Sequence, residues 1–483
     1  MTAAPQPMVV AAAAAWAAAA LGTLLPVRFV VVAAMAGAVV AVAAHPRTTV
    51  VAAGIGLSIA AASTALHVHA LHVGPVARLA AHRADADLVA RLVRDPQPVV
   101  SASGARLTII DATVVEVLGA HPQRAAAPVL LLSFGAGWQG LLPGQRVEVS
   151  GRVEPPRPHD DVAAVIDVRG TPRAIGRPAW WQRAAGHVRT ALLAATGGLP
   201  PDARGLLPGL VDGDTSRVPD TLQDDMRVTG LTHLEAVSGE NLTIVLGVVM
   251  ALARGVGLRR RSRVVLAALA VVGFVWLARP SPSVLRAAVM SAVALLAMFL
   301  GRRTSAVPML SLAVVVLVVV DPFLARTVGF ALSVAATAAI VVIAPGWARR
   351  LERWVPRPVA VAIAVPAAAQ LACTPVLVLA FGQLTPYAVP ANLMAGPAVA
   401  PATVLGLASA AVASWSVGCA RLLAWLGALP ATAVAWTARG FAWLPGAAAT
   451  LSRPVAWVLA GAVIALLWRI VMRQVRLQTR EIL

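Results

Sequence analysis

His233, Glu235, Ser238, Gly239, Glu240 and Asn241 sit together at the head of an apolar run. Side chains that donate, accept or exchange protons at such a place suit two kinds of chemistry: lining a polar path through lipid, or relaying protons. Ionisable groups at membrane depth cost a few kcal/mol, so they face a cavity or a partner. The alternative is a polar helix start solvated in the headgroup layer, and the sequence leaves both open. Ser238-Gly239 also permits close approach of a neighbouring backbone or local unwinding. Arg286, placed shortly after Pro282 at the head of another apolar run, is expected to pair with Glu235 or Glu240. Glu240 in the path of a polyanion would repel it unless neutralised by that arginine or by protonation, and an intramembrane acid equally suits a proton-coupled transporter. Gln370, Gln383 and Asn392 offer amide groups on later apolar runs, either to the same cavity or to interhelical hydrogen bonds. Asp321 before Pro322 reads as a loop or helix-start signal.

The elements that must position these groups are membrane helices. The 483 residues are 59% apolar and only 13% charged, far below the charge of an ordinary soluble domain. A crossing helix needs about 20 mostly apolar residues. Candidate runs lie near 8–25, 27–44, 48–70, 231–253, 264–278, 283–300, 304–320, 326–345, 358–381, 387–414, 421–438 and 454–472, about twelve in all. The run 264–278 is short for a crossing, and 387–414 is long and interrupted by Pro390, Pro397 and Pro401, as expected of a broken helix lining a cavity. The first run lacks a preceding basic residue and two more follow closely, so a retained helix is expected rather than a cleaved signal peptide.

The net charge of +19 arises from Arg alone, without Lys. Between residues 85 and 230 there are 15 Arg against 16 acids, so the excess lies elsewhere. It concentrates at Arg254, Arg259, Arg260, Arg261 and Arg263, at Arg302 and Arg303, at Arg349, Arg350, Arg353 and Arg357, and at the C-terminal Arg469, Arg473, Arg476 and Arg480. Short arginine-rich loops of this kind mark the cytoplasmic side. That assignment predicts both termini inside and residues 85–230 outside an inner (cytoplasmic) membrane. Attraction of polyanions or anionic headgroups is a further use of the same charge. Cys373 and Cys419 fall within apolar runs, so no disulfide framework is implied.

Residues 85–178 alternate apolar and polar positions in short runs bounded by Gly and Pro. Arg106 to Val115, Val129 to Phe134, Gly144 to Val153 and Val162 to Val168 read as strands of a small OB-like β-barrel. Such barrels often bind single-stranded nucleic acid by aromatic stacking and a basic groove, but this one offers only Phe134 and Trp138 and a balanced charge, which weighs against binding by this domain alone. Trp180 to Ala195 is amphipathic and expected at the membrane surface. A loop with six Asp residues, from Pro200 to Asp225, follows. The predicted organisation is therefore N-terminal membrane helices (1–80), the external β domain (85–178), an interfacial helix with an acidic loop (179–225), a helical membrane domain (226–475) and a basic tail (476–483). The fold class is mainly α.

Gly209 to Asp214, followed by Met226 to Asn241 with its Gly-Leu-Thr-His-Leu-Glu-Ala-Val-Ser-Gly core, resembles the paired motifs of the ComEC competence family. Pro282 to Met290, Asp321-Pro322-Phe323 with Gly329 to Ser333, and Gln370-Leu371 through Phe381-Gly382-Gln383 to Ala391-Asn392-Leu393 agree with that family in order. The resemblance implies an inner-membrane channel that passes one strand of incoming DNA during transformation. By the same resemblance Asp214, His233, Glu235, Ser238, Gly239, Glu240, Asn241, Arg286, Gln370, Gln383 and Asn392 are motif or channel-lining residues. An external DNA receptor and a cytoplasmic ATP-driven motor are the implied partners, alongside single-stranded DNA and membrane lipid, and homo-oligomeric assembly is compatible with it.

Many members of that family carry a metallo-β-lactamase-like nuclease domain; its His-x-His-x-Asp-His ligand set does not occur here, and a two-metal hydrolytic site needs such a cluster. The nearest imitation, His67, His69 and His72, reads as interfacial, with only His69 and His72 able to share a helical face. No Walker A, Rossmann, nucleophile-elbow or zinc-helix pattern appears. The expectation is a chain that is not an enzyme, needs no cofactor, and draws its energy from a partner or a gradient. A transporter of another solute on the same scaffold is the alternative.

Overall fold

A computed structural model describes residues 6–43, 48–100, 106–119, 121–235, 239–279, 282–301, 306–447 and 449–480. The chain divides into two compact units, one built from residues 6–187 with 315–325, the other from 188–314 with 326 onward.

The first unit opens with α1 (Gln6–Gly22), α2 (Val27–Ala43) and α3 (Thr48–His72), with α3 packed against both of the others. Association in lipid relies on close backbone contact between small residues. A Cβ on Gly56 of α3 would lie 2.3 Å from the Ala11 carbonyl of α1, so no other residue fits there. Residues 315–325 are pinned to this bundle: Ser63 Oγ donates to the Val319 carbonyl (2.6 Å) and Trp16 Nε1 to the Ala325 carbonyl (2.8 Å).

A short helix, α4 (Pro75–Ala81), leads into strands β1 (Asp85–Leu92), β2 (Gln97–Val100), β3 (Arg106–Val117), β4 (Gln123–Ser133), β5 (Arg146–Glu154) and β6 (Ala164–Ile175). The sheet closes on itself in the order β1-β5-β6-β4-β3-β1, with β2 extending the free edge of β3. Only β4 and β6 run parallel, Val129 opposite Ala164; every other pair is antiparallel. This is the five-stranded OB topology. Alternation drives it: Val147, Val149 and Val153 of β5 point inward while Glu148, Ser150 and Arg152 do not. Leu88, Ile110, Leu131 and Ile166 complete the core, and Val76 and Ala80 of α4 join it. Bulges at Val89/Ala90, Val114/Glu116 and Glu148/Ser150 supply the bends that closure demands. Trp138, one of the two aromatics available for stacking, is only 2% exposed and belongs to this core; Phe134 stands 69% exposed.

Helix α5 (Trp180–Ala195) starts in the first unit and ends in the second. It is amphipathic as expected, with Trp180 and Trp181 exposed at its head. The acidic stretch read as a loop instead folds as α6 (Pro201–Asp212) and α7 (Asp220–Val228). A single 3-10 turn, Thr232–Leu234, precedes α8 (Gly239–Gly255), so the fourth expected span begins later than its apolar pattern does. Then come α9 (Arg260–Ala278), α10 (Pro282–Phe299), α11 (Ala306–Val320), α12 (Val328–Val342), α13 (Ala344–Leu351), α14 (Arg357–Phe381), α15 (Ala388–Ala413), α16 (Val417–Ala442) and α17 (Arg453–Arg480). Two-residue strands β7 (Gln383–Leu384) and β8 (Ala449–Thr450) pair between them.

Among the described residues six helices are long and apolar enough to cross a membrane: α3, α9, α14, α15, α16 and Arg453–Val471 of α17. Helices α12 and α13, bent by 44°, add a seventh if taken as one span. Helices α1 and α2, Val284–Phe299 of α10, and α11 are apolar but shorter. The expected twelve is thus not confirmed, because apolar runs in the sequence extend through turns that the helices leave out. Helix α15 is continuous, with Pro397 and Pro401 inside it, where a broken helix was expected. Trp415 and Trp443, both nearly fully exposed, flank α16 as interfacial aromatics do. The protein is a mainly helical membrane protein carrying an OB-like barrel.

Candidate functional site

In the second unit the polar motif residues are organised around α6. Small residues recur along α15 (Ala391, Ala395, Ala402) and α16 (Ala424, Ala428, Ala431, Ala435), making shallow faces that bury Leu206, Leu207 and Leu210 of α6. Fully burying one such leucine contributes about 1.5–3 kcal/mol, enough to hold a helix whose Gly205, Pro208 and Gly209 oppose it.

Gly209 admits the segment that carries the other motif: a Cβ there would lie 2.3 Å from the Glu235 carbonyl. Asn241, on the first turn of α8, donates from Nδ2 to the Leu210 carbonyl (3.0 Å) and is fully buried. Gly230 adopts φ +73°, and a Cβ on it would lie 2.8 Å from Ala388 of α15 and 3.3 Å from Thr385 Oγ1. Gln370 Nε2 of α14 donates to that same Thr385 hydroxyl (3.2 Å). Motif segments distant in sequence therefore meet: Gly209 and Leu210 with Glu235 and Asn241, and Gly230 with Thr385 and Ala388, Thr385 in turn holding Gln370.

Asp214 organises a turn. Its Oδ1 accepts from the Ser216 N–H (3.0 Å), and its own N–H donates to Asp212 Oδ1 (3.0 Å). Asp212, which sequence reasoning did not single out, is almost wholly buried. Arg189 of α5 lies 3.7 Å from Asp212 Oδ2 and donates from Nη1 to the Asp212 carbonyl (2.7 Å) and to the Leu277 carbonyl of α9 (3.3 Å). Burial pushes the Asp212 carboxyl, which lies outside the spanning helices, up to about 6, with Arg189 opposing that rise. The tie joins α5, α6 and α9. The signal for it was present, since an amphipathic helix with two arginines, Arg183 and Arg189, precedes an aspartate-rich stretch, but no spacing rule links residues so far apart in the chain.

The remaining expected residues divide. Glu235 is buried and its Oε1 has no hydrogen-bond partner among the described residues. His233 is exposed, its Nδ1–H donating to the Gly230 carbonyl (3.2 Å), and Glu240 is exposed within electrostatic reach of it. Arg286 is buried, with Nε unbonded among the described residues. The expected pair is absent: among the described residues no ion pair joins Arg286 to Glu235 or Glu240, and the charges that reach Glu235 are Arg227 and Asp224. The helix geometry gives the reason. Gly239 of α8 faces Ala287 of α10, where a Cβ would make a 3.4 Å contact, and adjacent helix positions diverge by about 100°, so Arg286 is turned aside from that contact. Asn392 donates to the Ala388 carbonyl of its own helix (2.8 Å), and Gln383 lies in β7. Ser238 lies outside the described residues. In the first unit His67 and His72 bond to carbonyls of their own helix, Ser63 and Val68.

A family model described as competence protein matches residues 210–476 of the chain, from within α6 to α17. The chain belongs to the competence protein family. It is 28% identical over 213 residues to ComE operon protein 3 of Bacillus subtilis (strain 168), an alignment covering 43% of this chain and 27% of that relative. The chain therefore spans only part of the relative it matches. No solved structure matches it. The competence segment contains the Asp212–Asp214 turn, Glu235, Asn241, Arg286 and the Gln370–Thr385 contact; the barrel precedes it.

Proposed function

We propose that this competence-family protein is an inner-membrane channel that imports single-stranded DNA during natural transformation. What supports the reading is the convergence, within the family segment, of the Gly209–Asp214, Gly230–Asn241 and Gln370–Asn392 blocks on one another. A conduit for a polyanion needs amide and cationic groups along its path, without fixed negative charge that it cannot neutralise. Gln370 and Arg286 supply the first, Glu235 is buried away from water, where the neutral form is favoured, and the exposed Glu240 lies within electrostatic reach of His233. Both termini are cytoplasmic and residues 85–230 external, following the arginine-rich loops. In this reading the protein works with an external DNA receptor and a cytoplasmic ATP-driven motor.

A second reading has one observation behind it. Glu235 is a buried carboxyl with an unbonded oxygen, which is also what a proton-coupled carrier of another solute uses. The two part on uptake of labelled DNA into a DNase-resistant cytoplasmic pool, in a competent host deleted for this gene and restored with wild type, Arg286→Ala or Arg286→Lys. The channel reading expects loss on deletion, rescue by wild type, and failure of Arg286→Ala at normal protein abundance. Unchanged uptake on deletion would replace it with the carrier reading.

A further inference from the structure

A cavity of about 420 Å³ opens in the second unit, lined by Gly197, Arg204 and Arg217. Arg204 belongs to α6, and Arg217 to the turn that follows it. Gly205 locks them side by side: a Cβ there would meet the Arg217 carbonyl at 2.5 Å and Val218 Cα at 2.6 Å. The turn is thus pressed on the residue next to Arg204. Arg217 Nη1 donates to the Leu193 carbonyl at the end of α5 (2.8 Å), which fixes one edge of its guanidinium and leaves the others free. The Arg204 side chain has no hydrogen bond or ion pair among the described residues, although Asp202 nearby is engaged, accepting from Arg439 at 2.7 Å. Two guanidinium groups lining one cavity with no carboxylate repel each other until an anion bridges them. The planar fork of Arg suits phosphate above other anions.

We infer that Arg204 and Arg217 form a phosphate site that grips the backbone of single-stranded DNA, an inference that rests on the channel reading above. The cavity has room for a phosphodiester with its flanking sugars. A lipid phosphate would bring acyl chains that need an apolar groove, and the lining is one glycine and two arginines.

The test is equilibrium binding of a fluorescent thymidine 30-mer to the full-length protein in detergent, measured against salt concentration. Each phosphate contact on a single strand contributes about 0.7 to the slope of log affinity against log salt. The variant R204A/R217A should bind about tenfold more weakly at low salt, with a slope shallower by about 1.4. R204K/R217K should retain most of the slope, and R349A/R350A, which removes equal charge from α13, should behave as wild type. Inorganic phosphate should compete with the oligonucleotide beyond chloride of equal ionic strength in wild type, and not in R204A/R217A. An R204A/R217A protein of wild-type thermal stability with unchanged affinity and slope overturns this site alone. Absence of DNA binding by wild type overturns the channel reading with it. A defect confined to co-purified anionic lipid reassigns the site to a headgroup.

Discussion

Replacing Arg189 with Met keeps much of the side-chain volume and removes the charge that Asp212 faces. Both side chains are buried, the arginine 13% and the aspartate 0% exposed, so solvent screening does little to weaken the pair. Breaking a buried pair by removing one partner costs about 3–5 kcal/mol, because the other charge is left uncompensated. The pH dependence gives this a sharper form. Burial raises the Asp212 carboxyl from an ordinary 3.8 to about 6 even with Arg189 present, equivalent to about 3 kcal/mol at roughly 1.4 kcal/mol per tenfold. The folded value lies above the unfolded one, so this group's contribution is most favourable below pH 3.8, is lost as pH rises toward 6, and is constant above that. Without Arg189 the carboxyl rises further, so the loss continues to higher pH. The deficit of R189M relative to wild type should therefore be large at pH 8 and smaller at pH 5, where Asp212 is mostly protonated in both. Its pH-independent remainder is the loss of the bonds to the Asp212 and Leu277 carbonyls. Thermal unfolding of the purified protein in one detergent at the two pH values measures it. Equal deficits at pH 5 and pH 8, or none, would mean that Arg189 does not compensate the Asp212 charge.

Other substitutions follow from the same contacts. Gly209→Ala places a methyl 2.3 Å from the Glu235 carbonyl, and overpacking of this kind costs about 1–3 kcal/mol, read as a lower melting temperature, whereas Gly247→Ala, with open space at its Cβ, should not destabilise. Asn241→Ala removes the bond to the Leu210 carbonyl and should cost about 1–3 kcal/mol by the same measurement. In the barrel, Trp138→Ala should lose about 3–5 kcal/mol and expose β5 and β6 to limited proteolysis, while Phe134→Ala should leave the cleavage pattern unchanged.

The sequence made most of the membrane helices and four barrel strands legible, because long apolar runs and strict alternation are local signals. Strand β1 escaped because Asp85-Ala86-Asp87 looks like a solvated turn, yet Ala90 and Leu92 further along it close the barrel. Helix α6 escaped for a related reason: Gly205, Pro208 and Gly209 are loop signals locally, and burial against the alanine faces of α15 and α16 overrides them. At the site, the motif blocks were readable and their mutual contacts were not. Residue type suggested that Arg286 and Glu235 should attract, but it is the neighbouring Ala287 of α10 that stands towards Gly239 of α8, and no spacing rule reads that rotation from the sequence. The Arg189–Asp212 tie was hidden because its three ends lie on separate elements.

In the channel reading the motif segments border the path of DNA. A photo-crosslinking residue placed at Glu240 during uptake of labelled DNA tests it directly, with the same residue at the exposed Trp443 as reference. Crosslinks to the incoming strand are expected from position 240 and none from 443. Ongoing uptake with no crosslink at 240, or equal crosslinking at both, would contradict it.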